Sequence, residues 1–268
     1  MTKRLSLLSI SFILALWAFA AFSTFPASAA TLTAPADLEP GDLIRGESFS
    51  AVYYYGEDGF RYVFPNSKAY FTWYENFDDV KWLTDANLAT IQIGGNVTYK
   101  PGVQMIKINS DPKVYAVSAG GILRHITTEA IAITLYGANW NKLIDDVPDG
   151  FFPNYSIGSA IDVASSFSPS AEKADADSIN TDKGLKPFVT VTITDNGYSD
   201  EEVTIDADTT VRFVNAGSGK HSASADDKSW GSGTLAAGKH FTKRFKEAGT
   251  YDYHCAYDDS MTATIVVD

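Results

Sequence analysis

The last twenty residues, Gly249 to Asp268, hold the only cysteine of the chain and constrain its fold more than any other stretch. Tyr251, Tyr253 and Cys255 alternate with Asp252 and His254. That is the period of a strand with one buried face, with the two tyrosines and the thiol on one side and Asp252 and His254 on the other. A short polar loop leads to Met261, and a second strand is expected from Thr262 to Val267. Upstream, further short strands are expected at Val189 to Ile193, Glu202 to Ile205, Thr210 to Val214, His221 to Ala225 and His240 to Phe245. Short strands at regular spacing with turn residues between them predict an all-β sandwich. In that sandwich a thiol at a strand end lies close in sequence to a thioether, and thiolate and thioether are the soft ligands that select copper.

These residues resemble the C-terminal signature of the cupredoxins, the blue-copper domains such as plastocyanin and amicyanin: a cysteine, a histidine three residues on, and a methionine shortly after. The Cys255-to-Met261 loop is similar to the short amicyanin type. The resemblance extends back to about Pro187. Val211-Arg212-Phe213-Val214-Asn215 followed by Gly219-Lys220-His221 is similar to the strand and loop that carry the family's first histidine ligand, and Gly233-Thr234-Leu235 and Ala248-Gly249-Thr250-Tyr251 also match. It implies a Greek-key sandwich over residues 187–268 with copper as cofactor. Carried over residue by residue, His221, Cys255 and Met261 stand at ligand positions. At the family's second histidine this chain has Asp258. The implied metal set is therefore His221, Cys255, Asp258 and Met261, with a carboxylate oxygen that is harder than imidazole and shifts preference toward Cu(II). The alternative is a domain that kept the fold and lost the metal, leaving Cys255 as a buried core thiol.

The N-terminus carries Lys3 and Arg4, an apolar run from Leu5 to about Phe22, and the small-residue site Ala27-Ser28-Ala29. This reads as a secretory signal peptide over residues 1–29, the alternative being an N-terminal anchor. No later stretch is long and apolar enough to span a bilayer. The expected location is secreted or cell-envelope, outside the cytoplasm. Removing Lys3 and Arg4 from the 21 basic residues leaves 19 against 33 acidic, a net charge near −14. Such a chain is not a nucleic-acid binder. One cysteine forms no internal disulfide.

Residues 40–161 repeat with a period of about sixty residues. Pro40-Gly41, Leu43-Ile44-Arg45, Val52-Tyr53, Gly59, Arg61 and Tyr74 find counterparts in Pro101-Gly102, Met105-Ile106-Lys107, Val114-Tyr115, Gly121, Arg124 and Tyr136. Each copy reads as a hairpin, turning at Asp58-Gly59 or at Gly120-Gly121, followed by a short helix from Ser67 to Tyr74 or from Thr128 to Tyr136. A unit of this size does not bury a core alone, so the two copies are expected to pack as one α+β domain. They resemble aromatic hairpin–helix repeats of exported bacterial proteins. Their tyrosines and tryptophans suit sugars and proteins alike, although a small domain also needs aromatics for its core, and that is the simpler reading. Residues 164–186, rich in Ser, Ala, Asp and Lys, read as a linker between this module and the β-domain. The chain is thus expected to be multidomain, its repeats offering a docking surface to a redox or surface partner.

Enzyme motifs are absent. The four histidines, His125, His221, His240 and His254, are too few for a multicopper oxidase, and neither H-E-x-x-H nor G-x-S-x-G occurs. Gly217-Ser218-Gly219-Lys220 lacks the first glycine and the closing Ser or Thr of a phosphate loop. His254 is expected on the face opposite Cys255, His240 facing solvent, and His125 within a hairpin of the repeats, so none of them replaces the missing imidazole.

Overall fold

The computed structural model describes residues 32–268, and the signal peptide read at 1–29 lies outside them. Residues 32–268 form one compact unit, built mostly of β-sheet.

The repeat region builds two five-stranded sheets. In the first, the order is Val80–Leu83, Leu43–Gly46, Tyr53–Tyr55, Arg61–Val63, Ile93–Asn96. In the second it is Ile144–Asp146, Met105–Ile108, Asp111–Ser118, Ile122–His125, Ser156–Ile157. The order is the same, and so is the sense of every pairing: a central antiparallel meander flanked on each side by a parallel strand. Each meander is followed by a short helix, Ser67–Trp73 or Glu129–Tyr136. Both start on an N-cap: the Asn66 side chain accepts from the Ala69 amide at 2.8 Å, and the Thr128 hydroxyl accepts from Ile131 at 3.3 Å. The first-turn glycine, Gly59, has φ 77°, a conformation that glycine adopts without strain. Tyr54, Tyr62, Phe64 and Tyr70 make the core of the first unit, so most of its aromatic load is spent on packing.

Residues 164–186 differ from the linker that their composition suggests. They fold into a 3-10 turn at Ala164–Ser166 and helices at Pro169–Asp175 and Ile179–Lys183, with Ser168 and Ser178 as N-caps. Their large apolar side chains, Phe167, Ile179 and Leu185, are all buried. Ile179 and Leu185 complete the first repeat's core, and Phe167 enters the second's. Asp182, within the stretch read as a linker, is buried and accepts from the Gly120 amide at 2.9 Å, while Glu172 accepts from Ser118 Oγ and the Ala119 amide, both at 3.0 Å.

Beyond it lie two four-stranded sheets. One runs Gly197–Tyr198, Val189–Thr194, Thr209–Asn215, His240–Phe245; the other runs Glu202–Ile205, Asp258–Val267, Gly249–Cys255, Ser224–Ala225. Their facing residues share a core that includes Val191, Phe213, Tyr253, Cys255, Met261 and Ile265. The edge strand His240–Phe245 is covered by the first repeat: the Gln92 amide donates to Thr242 O at 3.0 Å and accepts from Thr242 N at 2.6 Å. A side chain that satisfies both backbone groups closes an otherwise open edge. Arg212 reaches across the same contact to Tyr55 Oη at 3.0 Å and Gly59 O at 3.1 Å, and its guanidinium lies 3.8 Å from the Phe188 ring centre. None of the described helices is long and apolar enough to cross a membrane.

Candidate metal centre

Cys255 is the last residue of the Gly249–Cys255 strand, whose alternation buries Tyr253 and Cys255 completely and leaves His254 partly open. The chain then turns on Ala256 and Tyr257, and Cys255 pairs with Asp258. One step back, His254 pairs with Thr262, so Asp259, Ser260 and Met261 are accommodated in a bulge between the two pairings. The returning strand therefore begins at Asp258, earlier than the expected Thr262. Met261, 4% exposed, joins Cys255 in the core.

His221 arrives from the loop between Thr209–Asn215 and Ser224–Ala225. Its backbone exchanges hydrogen bonds with Leu235 at 3.1 and 2.8 Å. The loop before it is held by Asn215, fully buried, whose amide nitrogen donates to Gly219 O at 2.9 Å and Leu235 O at 2.8 Å and whose oxygen accepts from Gly217 N at 2.9 Å. The imidazole Nδ1 comes to 3.6 Å from Cys255 Sγ. Its Nε2 meets Asp195 Oδ1 at 3.0 Å. Asp195 sits at the turn after Val189–Thr194 and also accepts from the Ser218 amide and hydroxyl at 3.0 and 2.7 Å and from the Gly219 amide at 2.9 Å. Sequence reasoning passed over Asp195. Its one local sign is the Asp195-Asn196-Gly197 turn, and that does not reveal a partner 26 residues away.

The electrostatics follow from these contacts. The hydrogen bond from His221, with those from Ser218 and Gly219, holds the Asp195 carboxyl well below the usual carboxylate range. The same Asp195 contact raises the His221 imidazole, against an opposing effect of burial. For Cys255, burial pushes the thiol up, but hydrogen bonds from the Tyr257 backbone, His221 and the Ser222 backbone prevail and leave it below its ordinary value. An acidified thiol beside an oriented imidazole is a pair disposed to bind a soft metal.

Of the four residues placed in the metal set, the fold brings His221 to Cys255 and buries Met261 in the same core as Cys255. Asp258 is treated differently. Its Oδ1 accepts from the Ser260 amide at 3.0 Å and the Ser260 hydroxyl at 2.6 Å, contacts that lower its pKa, and the residue is exposed. Among the described residues no three His, Cys, Asp or Glu side chains converge as a metal-holding group. The other histidines stand apart. His254 Nδ1 meets Asp226 Oδ1 at 2.6 Å on the opposite face of its strand. His125 lies in a repeat hairpin, its ring 5.8 Å from that of Tyr115. His240 is half-buried, not solvent-facing, and burial with nearby Arg212 and Lys239 lowers its pKa.

Residues 163–267 match the family model of the cupredoxin-like domain. The C-terminal part of this chain is a cupredoxin-like domain. Solved structures similar to it include a purple cupredoxin from Nitrosopumilus maritimus, 23% identical, covering 30% of this chain and 99% of that one, with a TM-score of 0.29. An amicyanin variant in its reduced Cu(I) form at pH 4 is 25% identical over 31% of this chain and 85% of its own, with a TM-score of 0.29. A Cu-containing nitrite reductase from Thermus scotoductus is 25% identical over 31% of this chain and 23% of its own, also with a TM-score of 0.29. No curated protein matches the chain significantly. In the cupredoxin-like domain, Cys255 comes from the end of the Gly249–Cys255 strand, His221 from the loop before Ser224–Ala225, and Met261 from the bulge that follows Cys255.

Proposed function

We propose that the cupredoxin-like domain binds copper through His221, Cys255 and Met261 and that the protein serves electron transfer or copper handling at the cell envelope. The observation that carries this reading is the 3.6 Å approach of His221 Nδ1 to Cys255 Sγ, with Met261 buried in the same core. One imidazole, one thiolate and one thioether form a soft donor set suited to copper. Two sulfurs and a single imidazole favour Cu(I). With Asp258 bonded to Ser260, the position of a second imidazole is left to water or to a group from outside the chain. Asp195 orients His221 by accepting at Nε2 and so leaves Nδ1 free of its proton for a metal. Export and cleavage of residues 1–29 belong to this reading, as does docking of a partner on the repeats.

Metal analysis of the purified chain after loading with Cu(I) or Cu(II), with visible and EPR spectra, tests it. Retention of about one copper per chain, lost in Cys255→Ser, is the expected result. A chain that retains no copper in either oxidation state while Cys255 stays reduced leaves the second reading, a copper-free surface protein on a cupredoxin scaffold. The bonding of Asp258 to Ser260 is the observation that favours that second reading.

A further inference from the structure

The repeat region carries a cleft in each of its two units, at the same place. The first has a volume of about 570 Å³ and lies where the first hairpin meets the start of helix Ser67–Trp73. The second, about 150 Å³, lies where the second hairpin meets helix Glu129–Tyr136. Residues 50–52, 63–67 and 70 line the first, and the residues 62 positions later, 112–114, 125–129 and 132, line the second. The cleft is thus a feature of the repeat architecture, and only its lining has changed between the copies.

The change in lining is chemical. The second cleft carries Lys113, His125 and Glu129. The first has no ionisable acid or base other than a tyrosine, in a chain with 33 acidic and 21 basic residues. Its polar groups are the hydroxyls of Ser50 and Ser67 and the amides of Asn66 and Asn96. Hydroxyls and amides both donate and accept, and so match a ligand whose groups do the same. Its aromatic wall is Phe77 on Tyr70, stacked at 4.3 Å and 24°. Tyr70 is buried, whereas Phe77, stacked on Tyr70 and met edge-on by Phe71, keeps 47% of its surface exposed. The volume falls within the range of about 300–1,000 Å³ common for small-molecule sites.

We infer that the first cleft binds an uncharged saccharide, a pyranose stacking on Phe77 with its hydroxyls bonded to Ser50, Ser67, Asn66 and Asn96. A pyranose has an apolar C–H face for the ring and an equatorial belt of groups that donate and accept together. An anionic sugar finds no cation in the cleft. A proline-rich peptide offers mostly carbonyl acceptors and leaves the acceptors of this lining unused. The inference is independent of the copper reading.

Isothermal titration of the full chain against chitohexaose, laminarihexaose and mannohexaose tests it, with hexagalacturonate and a decaproline peptide as competing classes. Saturable binding of at least one neutral hexasaccharide is expected. Phe77→Ala and Asn96→Ala weaken it by about tenfold or more, equivalent to about 1.4 kcal/mol. Trp140→Ala, beside the second cleft, leaves it unchanged. Near-ultraviolet circular dichroism verifies that each variant keeps its fold. Absence of binding to all three neutral sugars, tighter binding of hexagalacturonate or decaproline, or undiminished binding by folded Phe77→Ala overturns the inference.

Discussion

His221 is held between a thiol and a carboxylate: its Nδ1 lies 3.6 Å from Cys255 Sγ and its Nε2 lies 3.0 Å from Asp195 Oδ1. One nitrogen is thereby aimed into the sandwich and the other is tied to the turn after Val189–Thr194. Removing the tie while keeping the shape distinguishes the two roles. In Asp195→Asn the His221 pKa should fall, because the Asp195 hydrogen bond is the chief cause of its elevation. A folded pKa above the unfolded one means that the pair's contribution to stability is present below about pH 6.5 and is lost as pH rises through the folded value. The variant should therefore lose stability at acidic pH and match the parent above that window, as followed by imidazole NMR titration and thermal melts. Copper affinity should drop by about ten- to a hundredfold, the usual cost of losing a histidine's outer partner. An unchanged His221 titration curve would show that the contact is not formed in solution.

Asp258→His addresses the missing imidazole. The Cys255–Asp258 pairing sets the backbone of position 258 opposite that of Cys255, and the carboxylate is held by Ser260 in a turn that histidine does not reproduce. The variant should bind copper and show the strong sulfur-to-copper charge-transfer band of a type 1 centre. The parent should show a weaker or different spectrum, and Cys255→Ser should abolish the band in both. A folded Asp258→His with reduced Cys255 that stays colourless would mean that the backbone does not present this position to the metal.

Residues 164–186 should resist limited proteolysis, contrary to what their composition suggests. Ile179, at 1% exposure, is sealed into the first repeat's core, and Asp182 and Glu172 are anchored to residues 118–120. Ile179→Ala should cost about 2–5 kcal/mol of stability and open the segment to cleavage. Rapid cutting of the unaltered chain between Ala164 and Lys186, releasing a folded β-domain, would show the segment to be loosely held.

Asp58 supplies a pH signature for the contact between the repeats and the β-domain. It is buried, accepts from Tyr62 Oη at 2.5 Å, and lies 3.9 Å from Arg244. Burial raises its pKa, although Tyr62, the Phe60 amide and Arg244 pull it down. A raised folded pKa makes its contribution fullest below about pH 4, and that contribution fades as pH rises through the folded value. Asp58→Asn keeps an acceptor for Tyr62 and does not ionise. Its melting temperature, relative to the parent, should therefore improve from pH 4 to pH 7. A difference that stays flat over that interval contradicts the assignment.

Local signals carried much of this protein. The alternation through Tyr251, Tyr253 and Cys255 set which side chains turn inward, because strand geometry repeats every two residues whatever surrounds it. Hairpin turns at Asp58-Gly59 and Gly120-Gly121 and the short helices that follow them were legible for the same reason: each depends on the backbone of a few neighbouring residues. Three features were not legible, and all rest on contacts between distant parts of the chain. Residues 164–186 fold because surfaces from residues 43–161 bury Phe167, Ile179 and Leu185, whereas composition counts only how few such groups there are. Asp195 and His221 meet because a turn and a loop lie side by side across 26 residues. Asp258 occupies a ligand position in the sequence pattern, but the bulge at Asp259 to Met261 gives its side chain a nearer partner in Ser260. Periodicity and turn chemistry are properties of short segments, while register, burial and the choice of hydrogen-bond partner exist only once those segments pack together.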